Sequence, residues 1–283
     1  MNVAAQSRPS WWLWPTIVSI DAPAVAVLWQ ALVSRSAGAP VRPAEAFVLG
    51  CSVWLAYCTD RWLEACRLDP SEMRTHRLRF HHDHRWALAA LWACLFAVDV
   101  AAAFRCLLPS QLRAGVILMA AVAVYLFSHQ QLHRRSPWRI PKEVCVALLL
   151  GIGSVLFAAE RPGTDLRRAA APLGLFMALC FSNCALISLW EDEVDLSHGQ
   201  TSLALQLRGA AILCRGLPWA IAAAGAGTLA LGPPSCAPEA ACAAASGILL
   251  GAVDLAEPRI GRATARVLAD VALMTPAAWL ALR

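Results

Sequence analysis

Nine stretches of roughly twenty mostly apolar residues constrain this chain more than any other feature. They fall at 14–34, 44–60, 86–108, 112–129, 141–159, 170–190, 209–231, 238–255 and 263–282, separated by clusters of glycine, proline and charge. In hydrocarbon such a stretch must satisfy its own backbone N–H and C=O groups, which leaves helices or a closed barrel. The stretches lack the in–out alternation of barrel strands. The expected fold is therefore all-α: a multi-pass membrane helical bundle of nine transmembrane helices, with residues 1–283 as a single domain. Composition agrees. The chain is 59% hydrophobic and 15% charged, where a soluble domain carries about 25% charged residues. Disorder, a coiled coil and a nucleic-acid-binding surface are excluded on the same grounds. No cleavable signal peptide is expected, because Arg8 is the only basic residue ahead of the first stretch.

Charge placement orients the bundle. Of the 24 basic residues only Lys142 is lysine. With nine spans, 16 of them fall on the side of the N-terminus and 8 on the other. That bias places the N-terminus in the cytoplasm, in a bacterial-type inner membrane. All seven histidines and the densest acid clusters share the same inner side. Two inner segments are expected as cytoplasmic loops: a basic one at 61–85 and a second at 191–208. The basic loop either covers the site or lies on the anionic leaflet. The 11 cysteines lie mostly in apolar runs without a CxxC pair, and are expected to be reduced and structural. Cys236 and Cys242, which flank an outer loop, are the one pair to check.

Two acid clusters stand at inner helix ends. Asp60 and Glu64 end the second span, and Glu191 and Asp195 end the sixth. Each pair is four residues apart and so shares one helix face. Taken singly, such acids are more often solvated caps than ligands. Two pairs on one side form an oxygen-donor set suited to Mg²⁺ bridged to a phosphate. Asp21, Asp99 and Asp270, with Asn183, sit inside spans, where acids face a cavity or a partner.

The run Asp195-Leu196-Ser197-His198-Gly199-Gln200-Thr201-Ser202-Leu203-Ala204 after the second cluster resembles the second Asp-rich motif of the UbiA superfamily of intramembrane prenyltransferases. Pro137-Trp138-Arg139-Ile140-Pro141-Lys142-Glu143 resembles the basic segment that enters the fifth helix of that family. The family has nine helices, with its acid motifs after helices 2 and 6, where these clusters fall. The departures are specific. The Asn-Asp of the first motif falls on Ala56 and Tyr57, Glu143 stands where a basic residue is usual, and two acids are glutamates, Glu64 and Glu191.

The resemblance implies transfer of a prenyl group from a polyprenyl diphosphate to a hydrophobic acceptor, within the membrane lipid and with Mg²⁺ as cofactor. It assigns the metal to Asp60, Glu64, Glu191 and Asp195, and the diphosphate to Arg61, Arg77, Arg139 and Lys142, with Arg74 as a further cation. Planar guanidinium forks suit phosphate oxygens. No acceptor base is assigned; Tyr57 and His198 are merely close by. Trp62 and Trp190 adjoin the acids and read equally as an interfacial aromatic belt. Three other readings stay open. A non-catalytic UbiA-like scaffold fits the missing Asn-Asp, and a transporter fits the intramembrane acids. A di-iron oxidase fits His129-x-x-x-His133 and His81-His82-x-His84.

Overall fold

Proline marks where several helices begin, since the first turn needs no N–H from it. The computed structural model describes residues 9–69, 73, 75–128, 141–193, 203–206 and 209–282. Its helices are α1 (Trp14–Ile17), α2 (Asp21–Ser36), α3 (Pro43–Arg67), α4 (His76–Asp83), α5 (Arg85–Cys106), α6 (Pro109–Phe127), α7 (Lys142–Ala159), α8 (Leu166–Trp190), α9 (Leu203–Gln206), α10 (Ala210–Leu231), α11 (Ala237–Ile260), α12 (Arg262–Ala272) and α13 (Thr275–Ala281). No strand occurs among the described residues. The all-α class is the observed one.

Among the described residues the count of nine spans is not confirmed. Six helices are long and apolar enough to cross a membrane: α5, α6, α7, α8, α10 and α11 with its lead-in. The pair 11–17 and 21–36, bent by 73°, makes a seventh. The second and ninth expected spans are α3 and the α12–α13 pair. α3 has the length, at 25 residues, but carries Glu45, Asp60, Arg61, Glu64 and Arg67. α12 and α13 are short and meet at Leu273–Met274. Both regions turn polar groups toward neighbouring helices, so neither presents the uniformly apolar surface of a lipid-bathed span. The basic stretch expected as a loop is also partly helical: α3 runs to Arg67, and α4 follows over His76–Asp83.

The core forms where α2 packs against α8. Trp29 stacks on Phe176 with ring centroids 4.9 Å apart. Its indole N–H donates to the Leu273 carbonyl at 2.8 Å, which ties in the α12–α13 joint. α2 also touches α3, α7, α12 and α13, and α8 touches α7, α10 and α11. α10 and α11 pack through small residues: a Cβ on Gly247 would lie 2.6 Å from the Pro218 carbonyl oxygen. Backbones approach this closely only where a side chain is missing. Cys236 and Cys242 are both buried and unbridged.

The break between α1 and α2 positions the site. Ser19 has φ 58°, in the left-handed region, and α2 restarts at Asp21. Irregular backbone at membrane depth is tolerated where it lines a cavity. Ser19, Asp21 and Ala22 line one.

Candidate functional site

The end of the bundle where α3 and α8 finish encloses a cavity of about 150 Å³. Six elements bring charge to it. α3 supplies Asp60, Arg61 and Glu64, and α4 supplies Arg77. α7 begins there with Lys142 and Glu143, and Glu191 follows the last turn of α8. Arg266 and Asp270 come from α12, and Asp21 from the start of α2. Of the eight site residues named from the sequence, six therefore line one cavity: Asp60, Glu64, Glu191, Arg61, Arg77 and Lys142. Arg139 and Asp195 lie outside the described residues, as do Arg74 and His198.

Glu191 is the best-defined group. One of its oxygens, Oε2, accepts from Arg77 Nη2 at 3.1 Å and from Arg266 Nη1 at 2.7 Å. Burial alone would raise its pKa. The charges of Arg266 and Arg77, with the Arg266 hydrogen bond, outweigh burial and hold the carboxyl well below the usual carboxylate range. Arg77 is pushed down to about 10 by burial and then by the like charges of Arg266 and Arg61. It remains a cation at neutral pH. The His81 ring N–H donates to the Arg77 carbonyl at 2.9 Å, and burial lowers the His81 pKa. α4 thus turns Arg77 and His81 inward rather than toward a lipid surface.

A second group lies deeper. Asn183 Nδ2 donates to Asp270 Oδ1 at 2.9 Å, and Asp21 lines the same wall. Asn183 Oδ1 and Ser188 Oγ are buried without a hydrogen-bond partner, and both side chains line the cavity. Glu143 accepts from the Leu203 backbone N–H at 3.2 Å and fixes the start of α9. Trp190 belongs to the core rather than to an interfacial belt: its indole donates to Asp254 at 3.1 Å.

The charged cavity continues into an apolar one. Tyr57, Asp60, Tyr125 and Val146 also line a neighbouring space of about 120 Å³. That space shares Leu49, Ser52, Leu118, Val122 and Gly153 with a groove of about 470 Å³ along α3, α5, α6 and α7. Asp99, held by Ser52 Oγ at 2.9 Å, is the one carboxyl in the groove wall.

The Mg²⁺ implied by the resemblance requires several carboxylate oxygens free to converge. Among the described residues no three acid, histidine or cysteine side chains come together as cation ligands. Glu191, one of the four expected donors, is engaged by two guanidiniums. The described residues do not fit a Mg²⁺ site as they are placed, and they do not assemble a di-iron centre.

Two participants escaped the sequence reading. Arg266 carried a usable signal: Arg262, Arg266 and Asp270 recur every four residues, which puts them on one face of α12. Asp254, the partner of Trp190, had none.

No family model matches the sequence, and no curated protein matches it. Among solved structures, the apo structure of a UbiA homolog from Aeropyrum pernix K1 matches with a TM-score of 0.61 and 17% identity, over 93% of this chain and 98% of that one. The fold is thus UbiA-like, that of an integral membrane protein, as the acid motifs implied.

Proposed function

We propose that this UbiA-like bundle is an intramembrane prenyltransferase-like enzyme. It binds a polyprenyl diphosphate with the diphosphate in the charged cavity and the chain in the groove along α3, α5, α6 and α7. One observation carries the reading: a largely buried cavity, lined by Arg61, Arg77, Lys142 and Arg266 together with six carboxylates, shares lining residues with an apolar space and through it with an apolar groove of larger volume. A ligand with a polyanionic head and a long hydrocarbon tail matches both halves. Arg61, Arg77 and Lys142 would face the diphosphate. The charged end would face the cytoplasm, by the arginine bias counted for nine spans.

Transfer would proceed by cleavage of the allylic C1–O bond, whose electron pair leaves with the diphosphate. A nucleophile of the second substrate then bonds to C1 and gives up its proton. Fixed guanidinium N–H donors stabilise the charge that grows on the departing oxygen. The Tyr57 and Tyr125 rings stand where the charged and apolar spaces meet, the position in which aromatic faces stabilise an allylic cation. Asp21, Asn183 and Asp270 also line the cavity, and the hydrophobic acceptor would present its nucleophile there.

A second reading, a non-catalytic scaffold that binds a lipid diphosphate, is favoured by the lack of a three-acid cluster among the described residues. One experiment separates the two. Protein in nanodiscs is mixed with radiolabelled farnesyl diphosphate and a membrane lipid extract. Saturable binding displaced by inorganic diphosphate, with diphosphate released and label entering a new lipid product, supports the enzyme. Binding without release supports the scaffold. The lack of any saturable binding contradicts both.

A further inference from the structure

Two of the cations at the charged end, Arg77 and Arg266, converge on Glu191. Two guanidiniums on one carboxylate leave the trio with a net positive charge. All three side chains are at most 15% exposed. A third guanidinium, Arg61, lines the same cavity from α3. Each guanidinium has five N–H donors in a fixed fork. The Nε of Arg61, of Arg77 and of Arg266 is buried with no hydrogen-bond partner. A buried donor without a partner is costly, so three of them on one cavity call for a ligand with many acceptor oxygens.

Gathering like charges in a buried site is itself unfavourable, and it depresses the Arg77 pKa. Glu191 offsets that repulsion. It holds the α4 and α12 arginines side by side with donors to spare, the arrangement that bidentate recognition of phosphoryl oxygens requires. Asp60 and Glu64 line the same cavity.

We propose that the Arg77–Glu191–Arg266 clamp, with Arg61, holds the diphosphate directly, so that substrate binding needs no divalent cation and Glu191 is a positioning residue rather than a metal ligand. The inference rests on the diphosphate reading above. In the transfer step the C1–O electron pair passes to the diphosphate, the acceptor's nucleophile bonds to C1 and gives up its proton, and the guanidiniums keep theirs.

The test is titration of the nanodisc-embedded protein with farnesyl thiolodiphosphate, whose C–S bond ionises slowly, in chelator and in excess Mg²⁺. The expected Kd is the same in both conditions within about threefold. Arg77→Gln and Arg266→Gln each weaken binding about tenfold or more in both conditions. Arg266→Lys keeps the charge but loses the fork. It is expected to fall between wild type and Arg266→Gln, and it guards against misreading a folding defect. Glu191→Gln weakens binding but leaves it indifferent to metal. Binding that vanishes in chelator, returns with Mg²⁺ and loses that dependence in Glu191→Gln overturns the inference while sustaining the diphosphate reading. The lack of binding in every condition overturns that reading, and the clamp with it.

Discussion

Glu45 and Glu191 are both buried glutamates gripped by arginine, at opposite ends of the same bundle. At Glu45, each carboxylate oxygen accepts two hydrogen bonds. One oxygen accepts from Arg161 Nε at 3.1 Å and Gln111 Nε2 at 2.8 Å. The other accepts from Arg161 Nη2 and from the Arg42 backbone N–H at 2.9 Å. Arg161 reaches on to the Pro40 carbonyl, and Gln111 to the Phe157 carbonyl at 2.7 Å. The network ties together the start of α3, the start of α6 and the end of α7, and nothing is left over for a ligand. At Glu191 the arrangement is open. Two arginines share one carboxylate oxygen, their Nε donors are unpaired, and a cavity lies beside them. The same pair of residue types makes a lock where its hydrogen bonds close on each other. Where they do not, it leaves donors for the proposed ligand.

Breaking each pair sharpens that contrast. The largest effect is expected from Glu45→Ala, which strands the buried Arg161 charge. Loss of about 3–5 kcal/mol of stability is expected, read as a lower unfolding temperature in detergent, with diphosphate affinity unchanged in the protein that remains folded. Glu191→Ala should show the reverse profile: a smaller stability loss, because inorganic diphosphate can satisfy the freed guanidiniums, and a marked loss of affinity. Added diphosphate should raise the unfolding temperature of wild type more than that of this variant. Equal behaviour of the two variants would erase the distinction between lock and site.

Acid titration gives a finer test. Glu191 has a folded pKa below its unfolded value. Its stabilisation is fully present above the ordinary glutamate range, about 4.3, and is lost only as pH falls below that toward the depressed value. It therefore contributes no change between neutral pH and mild acid. His81 is the opposite kind of group: a base whose folded pKa lies below its unfolded value of about 6.5, because burial disfavours the imidazolium. Its contribution is full above that value and declines as pH falls below it. The unfolding temperature should begin to drop below about pH 6.5, and His81→Gln should flatten the drop. The smallest effect is expected from Gly153→Leu. It would crowd Leu49 and Leu118 in the groove wall, favouring shorter prenyl chains in competition binding with little change in stability.

Much of this was legible before any coordinates, and the reasons differ by residue. Length and hydropathy are local, so α5 to α8, α10 and α11 could be read directly. α3 and α12–α13 were less clear as spans, because their charges are sheltered by helices distant in sequence. The four-residue spacing of Asp60 and Glu64 placed both on one face, and both do line the cavity. No local pattern could reveal that Glu191 meets Arg77 from 114 residues earlier and Arg266 from 75 residues later. Long-range pairing is what sets Glu191 between two arginines, which its local sequence does not show. Asp270 shows the same limit: its depth was readable, its bond to Asn183 was not.

The central claim is that a prenyl diphosphate spans the charged cavity and the apolar groove. Photocrosslinking in nanodiscs tests it most directly, with a geranyl diphosphate analogue bearing benzophenone at the tail end and mass spectrometry to locate the adducts. The account predicts adducts on groove residues of α3, α6 and α7, such as Leu49, Val122 and Leu156, suppressed by inorganic diphosphate and by Arg266→Gln. Adducts confined to the lipid-facing surfaces of α10 and α11, or a groove pattern indifferent to competing diphosphate, would contradict it.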